Sequence, residues 1–391
     1  MLRKNVYIVI LSHFRRKSTI FFPNMQIFEP KFLFFHYFFV ILHPQTEICM
    51  KKHLIFTLFA LALMSCSNPN ERLLTSATGS IYECLAVTPN LPSVEYAVRE
   101  TMGADMYGLP QMEPYFTLTQ ITTGQFDDMF KSTRNILIVD INAQKYTQLK
   151  VLKSRDVWAK PQAMIRIQAP GEEAFLSYWQ QNGGNIREWF VREELARQIR
   201  FYRANTNKNV RAKLNKQGYD LLIPEDYMLI MDTTLGSGSE PEAVRVIWSC
   251  NNKGPMRKDV VVYSYPYTSQ EQFGIESLIR MRDAVLGRIV SAQVEGSHMG
   301  TEFKHFPPVT RSVAALRDST GGFYGMETRG LWKILDGEAM GGPFVSLTRL
   351  DQVNGRVVTA EAFLFAAGQK KRNAMRQQEA ILYTLKMPQD K

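Results

Sequence analysis

Two histidines and two glutamates in the stretch VEGSHMGTEFKHFPP have the chemistry of metal ligands. His298 and His305 are seven residues apart, and Glu295 and Glu302 repeat that spacing. Imidazole nitrogens and carboxylate oxygens are both ligands that zinc accepts. The alternative is a polar segment leaving a helix with both histidines solvated or capping, and the two prolines that follow favour it. We therefore expect no metal and no cofactor.

Two other carboxylates, Glu327 and Glu338, stand near glycine-rich turns and could serve acid–base hydrolysis. Such chemistry needs one carboxyl that donates a proton and another that accepts one. The chain contains no GxSxG, HExxH, phosphate-binding loop or CxxC motif. The sequence therefore leans towards a non-catalytic protein, with a hydrolase acting on glycan or peptide through carboxylates as the alternative.

Three tyrosines alternate in one predicted strand. Tyr263, Tyr265 and Tyr267 lie two residues apart, which places their side chains on one face. An exposed row of tyrosines could stack against sugars. The alternative is that this face packs under a helix with the hydroxyls at its edge.

A long basic helix is predicted over residues 185–217, with Asn185 as its N-cap and Gly218 as its stop. Arg200, Arg203 and Arg211 fall near one side of it. These arginines form a candidate surface for anionic lipid or lipopolysaccharide phosphates. The alternative is an ordinary solvated face.

Lys370, Lys371 and Arg372 crowd the predicted start of the last helix. Cations are unfavourable there because the helix dipole is positive at its N-terminus. A bound anion or acidic neighbours could offset the cost, or the helix could begin later in the chain.

A strand–turn–strand–helix pattern occurs three times along the chain, although uneven spacing leaves coincidence open. The Asn354-Gly355 turn of the third unit is a strong hairpin signal. The sequence predicts an α+β fold of antiparallel sheets with helices packed on one face, built from β-hairpin–helix units. The units comprise strands 135–142 and 163–170 before a helix from residue 172, strands 243–250 and 259–266 before a helix from residue 268, and strands 342–350 and 356–365 before a helix over residues 369–385.

The elements that place the protein in the cell lie near the start of the chain. Residues 50–65, MKKHLIFTLFALALMS, combine an initiator methionine, a basic start and an apolar core typical of an export signal. Cys66 follows Leu63-Met64-Ser65, which is similar to the lipobox of bacterial lipoproteins, so a lipid is expected on Cys66. Residues 1–49 would then be upstream sequence read through by mistake.

The remaining chain is predicted to hold a tether over residues 66–79, a first α+β half over residues 80–220 and a second over residues 221–391. After residue 65 there are 39 Lys and Arg against 35 Asp and Glu, so nucleic acid is not an expected partner. Cys84 and Cys250 lie in strand-like runs. They are interpreted as buried thiols, with a disulfide as the alternative.

The last third of the chain carries RGLWKI (329–334), MGGPFVSLT (340–348) and FLFAAGQKKRNAMRQQEAIL. With Cys66, these motifs resemble the Bacteroidota lipoproteins grouped as domain of unknown function 4837, over nearly all of the chain after the signal. The residues alone give Trp332 and Phe344 as core anchors.

The resemblance implies an outer-envelope lipoprotein and assigns no catalytic residue. The single acidic residue soon after Cys66, Glu71, favours an outer-membrane anchor facing the periplasm. The expected function is a lipid-anchored module that binds an envelope protein or polymer, with an envelope hydrolase as the alternative.

Overall fold

The computed structural model describes residues 74–236, 243–292, 294–314 and 324–390. The predicted upstream segment 1–49, the signal 50–65 and the lipid site Cys66 lie outside the described residues. Thr75 and Ser76, which fall within the predicted tether, pair with Ala159 and Lys160. The fold therefore begins inside the segment that was predicted to be a tether.

The first half of the chain forms a five-stranded sheet in the order β3-β2-β4-β7-β5. Its strands β2, β3, β4 and β7 run parallel and β5 runs antiparallel at the edge. The short pair β1–β6 stands apart from this sheet. The elements are β1 (Thr75–Ser76), β2 (Glu83–Thr88), α1 (Pro92–Met102), β3 (Thr117–Thr122), β4 (Asn135–Ile141), β5 (Lys150–Arg155), β6 (Ala159–Lys160), β7 (Ala163–Ala169) and α2 (Glu172–Ala204).

The first predicted hairpin is wrong, because β4 and β7 are parallel neighbours. Both strands are nearly continuous apolar runs, which is typical of parallel strands buried on both faces. Leu137 and Val139 of β4 face the core shared with α1 and α2. Ile136 and Ile138 face a smaller cluster with Phe130 and neighbouring aromatic side chains. The continuity of the run predicted the strands but could not identify their partners.

The predicted helix over residues 185–217 is two helices. α2 begins at Glu172 and ends at Ala204, so Asn185 is interior and not an N-cap. α3 (Lys208–Lys216) begins after Asn207, whose side chain accepts hydrogen bonds from the backbone of Asn209 and Val210. Gly218 has a φ of +88° and follows α3, so the predicted stop is confirmed.

The second half forms an eight-stranded antiparallel sheet in the order β11-β13-β14-β15-β10-β9-β8, with β12 also paired to β13. The β9–β10 and β14–β15 hairpins are each followed by a helix, so two of the three predicted units are confirmed. The elements are β8 (Met228–Leu235), β9 (Val244–Asn251), β10 (Arg257–Pro266), α4 (Ile275–Ile289), β11 (His298–Glu302), β12 (Val309–Ala314), β13 (Tyr324–Leu335), β14 (Gly341–Asp351), β15 (Arg356–Phe365) and α5 (Arg372–Leu382).

The α+β class is confirmed. In the second sheet, however, the helices lie on both faces and not on one face as predicted, because α5 and α4 pack on opposite sides. Alternate residues of β10 show this arrangement. Val260 and Val262 share a core with α5, whereas Val261 shares a second core with α4. α5 also contacts α2, where the Tyr202 hydroxyl donates to the carbonyl of Gln377 at 3.1 Å. The two sheets therefore share one core, and the described residues belong to one compact unit.

Side chains that were interpreted as structural are buried. Trp332 and Phe344 are core residues, as predicted. Cys84 and Cys250 are buried free thiols, which confirms the interpretation without a disulfide. Burial raises the pKa of both thiols. Within the described ranges, no helix combines the length and the apolar character needed to cross a membrane.

Candidate functional site

A cavity of about 260 Å³ lies where the two halves of the chain meet, and we call it the junction cavity. From the first half it is lined by Met106, Tyr107, Tyr115 and Glu188. From the second half it is lined by Val309, Thr310 and Arg311 of β12, Glu327 and Arg329 of β13, and Arg376 of α5. Ligand sites often occupy such junctions.

Strand register places the first charged groups of this cavity. Arg311 of β12 is directly opposite Glu327 of β13 in the antiparallel pair. Arg329 is two residues further along β13 and therefore points to the same face as Glu327. Opposite charges at facing positions stabilise a strand pair. The short stretch METRG thus presents an acid and a base side by side at the cavity wall.

The spacing of residues along α5 places the other polar groups near this cavity. Arg376, Glu379 and Tyr383 of the α5 segment are spaced by three and four residues and share one side of that segment. Glu379 is fully buried, and Arg376 is only 4% exposed. The helix therefore carries a buried charged side against β13, beside the apolar residues that pack on the sheet.

The five charged residues form one chain of contacts, the arginine–glutamate network. Glu327 Oε1 accepts from Arg311 Nε and from Arg329 Nε, each at 2.8 Å. Arg329 Nη2 donates to Glu327 Oε2 at 3.1 Å, and its Nη1 donates to Glu379. Arg376 Nη1 donates to the other oxygen of Glu379 at 2.7 Å. The network thus consists of Arg311, Glu327, Arg329, Glu379 and Arg376.

The network fixes the protonation state of its carboxylate at the cavity. Burial would raise the pKa of Glu327, but the Arg329 and Arg311 guanidiniums outweigh it and hold that pKa well below its usual value. Burial raises the pKa of Tyr383, whose hydroxyl donates to Glu327 Oε2 at 2.7 Å. Glu327 is therefore a fixed anion at neutral pH and not a proton donor.

Aromatic side chains form the other wall. The Arg187 guanidinium lies 4.1 Å from the ring centroid of Tyr115, and Arg376 lies 5.1 Å from the same centroid. Such cation–π contacts hold the ring in place. The Tyr107 hydroxyl donates to the carbonyl of Pro307 at 3.0 Å, which links the loop of the first half to the second. The wall is thus a fixed aromatic surface beside the guanidiniums.

Acidic neighbours explain the basic start of α5. Glu113 Oε1 accepts from the backbone N of Lys371 at 2.6 Å, and its Oε2 accepts from the backbone N of Arg372 at 3.1 Å. A carboxylate at a helix N-terminus offsets the dipole. The helix also begins at Arg372, later than predicted. Of the three explanations considered for the basic start, acidic neighbours and a later helix start are therefore correct, and the cap joins the two halves.

The predicted tyrosine surface is not exposed. Tyr263 and Tyr265 are buried in the core with α4, and their rings stack at 6.4 Å. Tyr267 is 36% exposed and stands at the end of the row. The alternative interpretation, a face packed under a helix, describes these residues, because α4 covers this side of the sheet.

The three predicted arginines do not form one surface. Arg200 and Arg203 are exposed on α2, whereas Arg211 lies on α3. Arg211 makes two bonds to Asp220, at 2.7 and 2.6 Å. The break between the helices separates Arg211 from the other two arginines, and Arg211 forms an ion pair with Asp220.

The predicted metal and hydrolase residues have other placements. Glu302 accepts from the backbone of Lys304 and His305, and its bond to Lys333 contributes to lowering its pKa to about 2. No group of three or more potential metal ligands occurs in the part of the chain that the structure describes. Glu338 is exposed in the turn before β14, whereas Glu327 is buried in the network. The two carboxylates are not paired.

Sequence reasoning missed most of the junction cavity. It identified Glu327 as a candidate, but not Arg311, Arg329, Arg376 or the tyrosines. Period 2 in METRG and the spacing of Arg376, Glu379 and Tyr383 were the available signals. They could not show that a loop of the first half covers the same place.

Comparison with known families divides the chain between residues 203 and 206. Residues 77–203 match the family described as domain of unknown function (DUF8532). Residues 206–384 match the family described as domain of unknown function (DUF4837). The expected resemblance to DUF4837 over nearly all of the chain was thus too wide. No curated protein matches the chain. The second half is therefore similar to DUF4837, and the first half is similar to DUF8532.

Proposed function

We propose that this protein is a membrane-anchored lipoprotein of the bacterial cell envelope whose folded part is a non-catalytic binding module. Its anchor is a lipid on Cys66, and it faces the periplasm from the outer membrane. Its partner is an envelope protein or polymer that inserts a group into the junction cavity. The anchor is supported by the apolar stretch before Leu63-Met64-Ser65-Cys66.

The observation that carries the binding role is the state of the junction cavity. Its carboxylate Glu327 already contacts two guanidiniums and a tyrosine hydroxyl. A carboxylate held ionised in this way cannot serve as the general acid of a hydrolase. The cavity instead offers a fixed aromatic wall and directed N–H donors, which are the features of a binding site.

The position of the cavity supports a binding role as well. Both halves contribute to the lining, and the Glu113 cap and the Tyr107 contact hold them together there. A ligand in this place contacts both halves at once. Binding there therefore stabilises the association of the DUF8532-like half with the DUF4837-like half.

The test is crosslinked capture of the tagged protein from intact cells. Val309 lines the cavity and is 41% exposed, so Val309→Trp fills the cavity without burying a large side chain in the core. Val353 is 65% exposed and does not line the cavity, so Val353→Trp is the matched control. We expect an envelope partner with the wild type and with Val353→Trp, and its loss with Val309→Trp.

The anchor has its own test. Mass spectrometry of the mature N-terminus is expected to find acyl chains on Cys66, and Cys66→Ala is expected to release the protein from the membrane fraction. Partner capture unchanged by Val309→Trp would contradict the role of the cavity. An unmodified N-terminus upstream of residue 50 would contradict the anchor.

A further inference from the structure

We infer that the junction cavity recognises an anionic group, a carboxylate or a phosphate, held by Arg311 and Arg376. This inference rests on the proposed binding function and names the chemical class of the ligand. It follows from the balance of charge in the network, the N–H donors that remain there, and the shape of the opposite wall.

The charges of the network do not balance. Arg311, Arg329 and Arg376 carry three positive charges, whereas Glu327 and Glu379 carry two negative ones. The remaining carboxylate of the lining, Glu188, lies 3.6 Å from Arg192 outside the network. Arg311, the partly exposed end of the network, shares its carboxylate Glu327 with Arg329, so its positive charge at the cavity is not fully neutralised within the network. A bound anion would supply the missing negative charge.

Two arginines retain donors for that anion. Arg329 uses all three of its nitrogens on Glu327 and Glu379. Arg311 uses Nε alone, so within the described residues both of its Nη groups remain without a hydrogen-bond partner. Arg376 uses Nη1 on Glu379 and its Nε is enclosed, so its Nη2 is the donor that remains without a hydrogen-bond partner within the described residues. Guanidinium groups suit the paired oxygens of carboxylate and phosphate.

The two arginines differ in accessibility. The side chain of Arg311 is 56% exposed, whereas that of Arg376 is 4% exposed. An anion entering the cavity meets Arg311 at the surface and Arg376 at depth. Tyr107 and Tyr115 line the same space. The ligand that fits is therefore a group that carries an anion beside a flat apolar part.

Isothermal titration calorimetry of the full chain in nonionic detergent, at constant ionic strength, tests this inference with three probes. Benzoate presents a carboxylate, phenyl phosphate presents a phosphate, and benzyl alcohol is the neutral control of similar size. We expect at least one anion to bind about tenfold or more tightly than benzyl alcohol. The tighter of the two anions shows whether the cavity prefers a carboxylate or a phosphate.

Three variants locate the binding. Arg311→Gln is expected to weaken the anion about tenfold or more, since a hydrogen bond to a charged group is lost. Arg311→Lys keeps the charge without the planar fork and is expected to fall between Arg311→Gln and the wild type. Arg280→Gln, at an exposed position on α4, is the matched control and should bind like the wild type. Glu327 keeps Arg329 and Tyr383 in the Arg311 variants, so they are expected to fold, which thermal melting checks.

Two results would overturn the inference: benzyl alcohol binding as tightly as both anions, or an Arg311→Gln variant that binds the anion like the wild type. The capture experiment with Val309→Trp separates this failure from failure of the proposed function. A partner lost on filling the cavity, without any anion preference, refutes only the anionic ligand. Anion binding lost in Arg311→Gln, with no partner captured by any variant, supports the ligand class and refutes the envelope partner.

Discussion

Glu379 holds the buried part of the arginine–glutamate network together, and Glu379→Gln measures what it contributes. The residue is fully buried and bridges Arg329 and Arg376. After the substitution the single amide oxygen can accept from only one of the two arginines, and neither keeps a charged partner at this position. Arg329 still has Glu327, whereas Arg376 has no other carboxylate contact in the network and lies 5.5 Å from the ring of Tyr82 and 5.1 Å from that of Tyr115. Removing one partner of a buried ion pair leaves an uncompensated charge and costs about 3–5 kcal/mol. We expect a loss of that size in the free energy of unfolding.

Urea denaturation followed by circular dichroism measures this loss. The comparison holds when the slope of the unfolding free energy against urea concentration is the same in both proteins. Glu100→Gln is the matched control because Glu100 is exposed on α1. We expect the control to change the stability by about 0.5 kcal/mol or less. A second variant, Arg376→Met with Glu379→Gln, removes both charges of the pair.

The double variant decides the cause of the loss. If an unpaired guanidinium destabilises Glu379→Gln, the double variant should be about 1–3 kcal/mol more stable than the sum of the two single changes predicts. A loss below about 1 kcal/mol in Glu379→Gln would refute the buried ion pair. Strict additivity would refute the coupling between the two side chains.

Three further predictions concern stability: those of a buried carboxyl, of a glycine between two strands and of a helix cap. Burial raises the pKa of Glu361 from 4.5 to about 7. The stabilisation by the protonated carboxyl is complete below pH 4.5 and is lost as the pH rises through 7, so the free energy of unfolding should fall by about 3 kcal/mol over that range. Glu361→Gln should remove this fall, which urea denaturation at a series of pH values measures. A Cβ on Gly342 would overlap the carbonyl oxygen of Leu364, so Gly342→Ala should lower the free energy of unfolding by about 1–3 kcal/mol. Gly184 lies in open space on α2, so the control Gly184→Ala should raise it by about 0.5–1 kcal/mol in the same assay. Glu113→Ala removes the cap of α5 and should cost about 1–2 kcal/mol; no change in melting would contradict the cap.

Local signals predicted the second half of the fold well. The Asn354-Gly355 turn specified the β14–β15 hairpin, and Gly355 has a φ of +61° there. The MGGPFVSLT motif has a structural cause, since Gly342 leaves room for the backbone of β15. The hairpin thus depends on residues close to each other in sequence, and the glycine allows its two strands to approach closely.

The failures occur where distant residues decide the structure. The apolar run of β4 fits either a hairpin or a parallel pair, and its partner β7 was settled by packing against α1 and α2. The face that carries Tyr263 is buried because α4 covers it. The junction cavity combines Tyr107, Glu327 and Arg376, which no local pattern connects.

Photocrosslinking in intact cells tests the central claim, that the junction cavity binds an envelope partner. A photoreactive amino acid at position 309 lies in the cavity wall, and the same amino acid at position 353 lies on the exposed turn between β14 and β15. We predict a defined crosslinked envelope partner from position 309 and none from position 353. The same products from both positions, or no product from position 309, would contradict the claim.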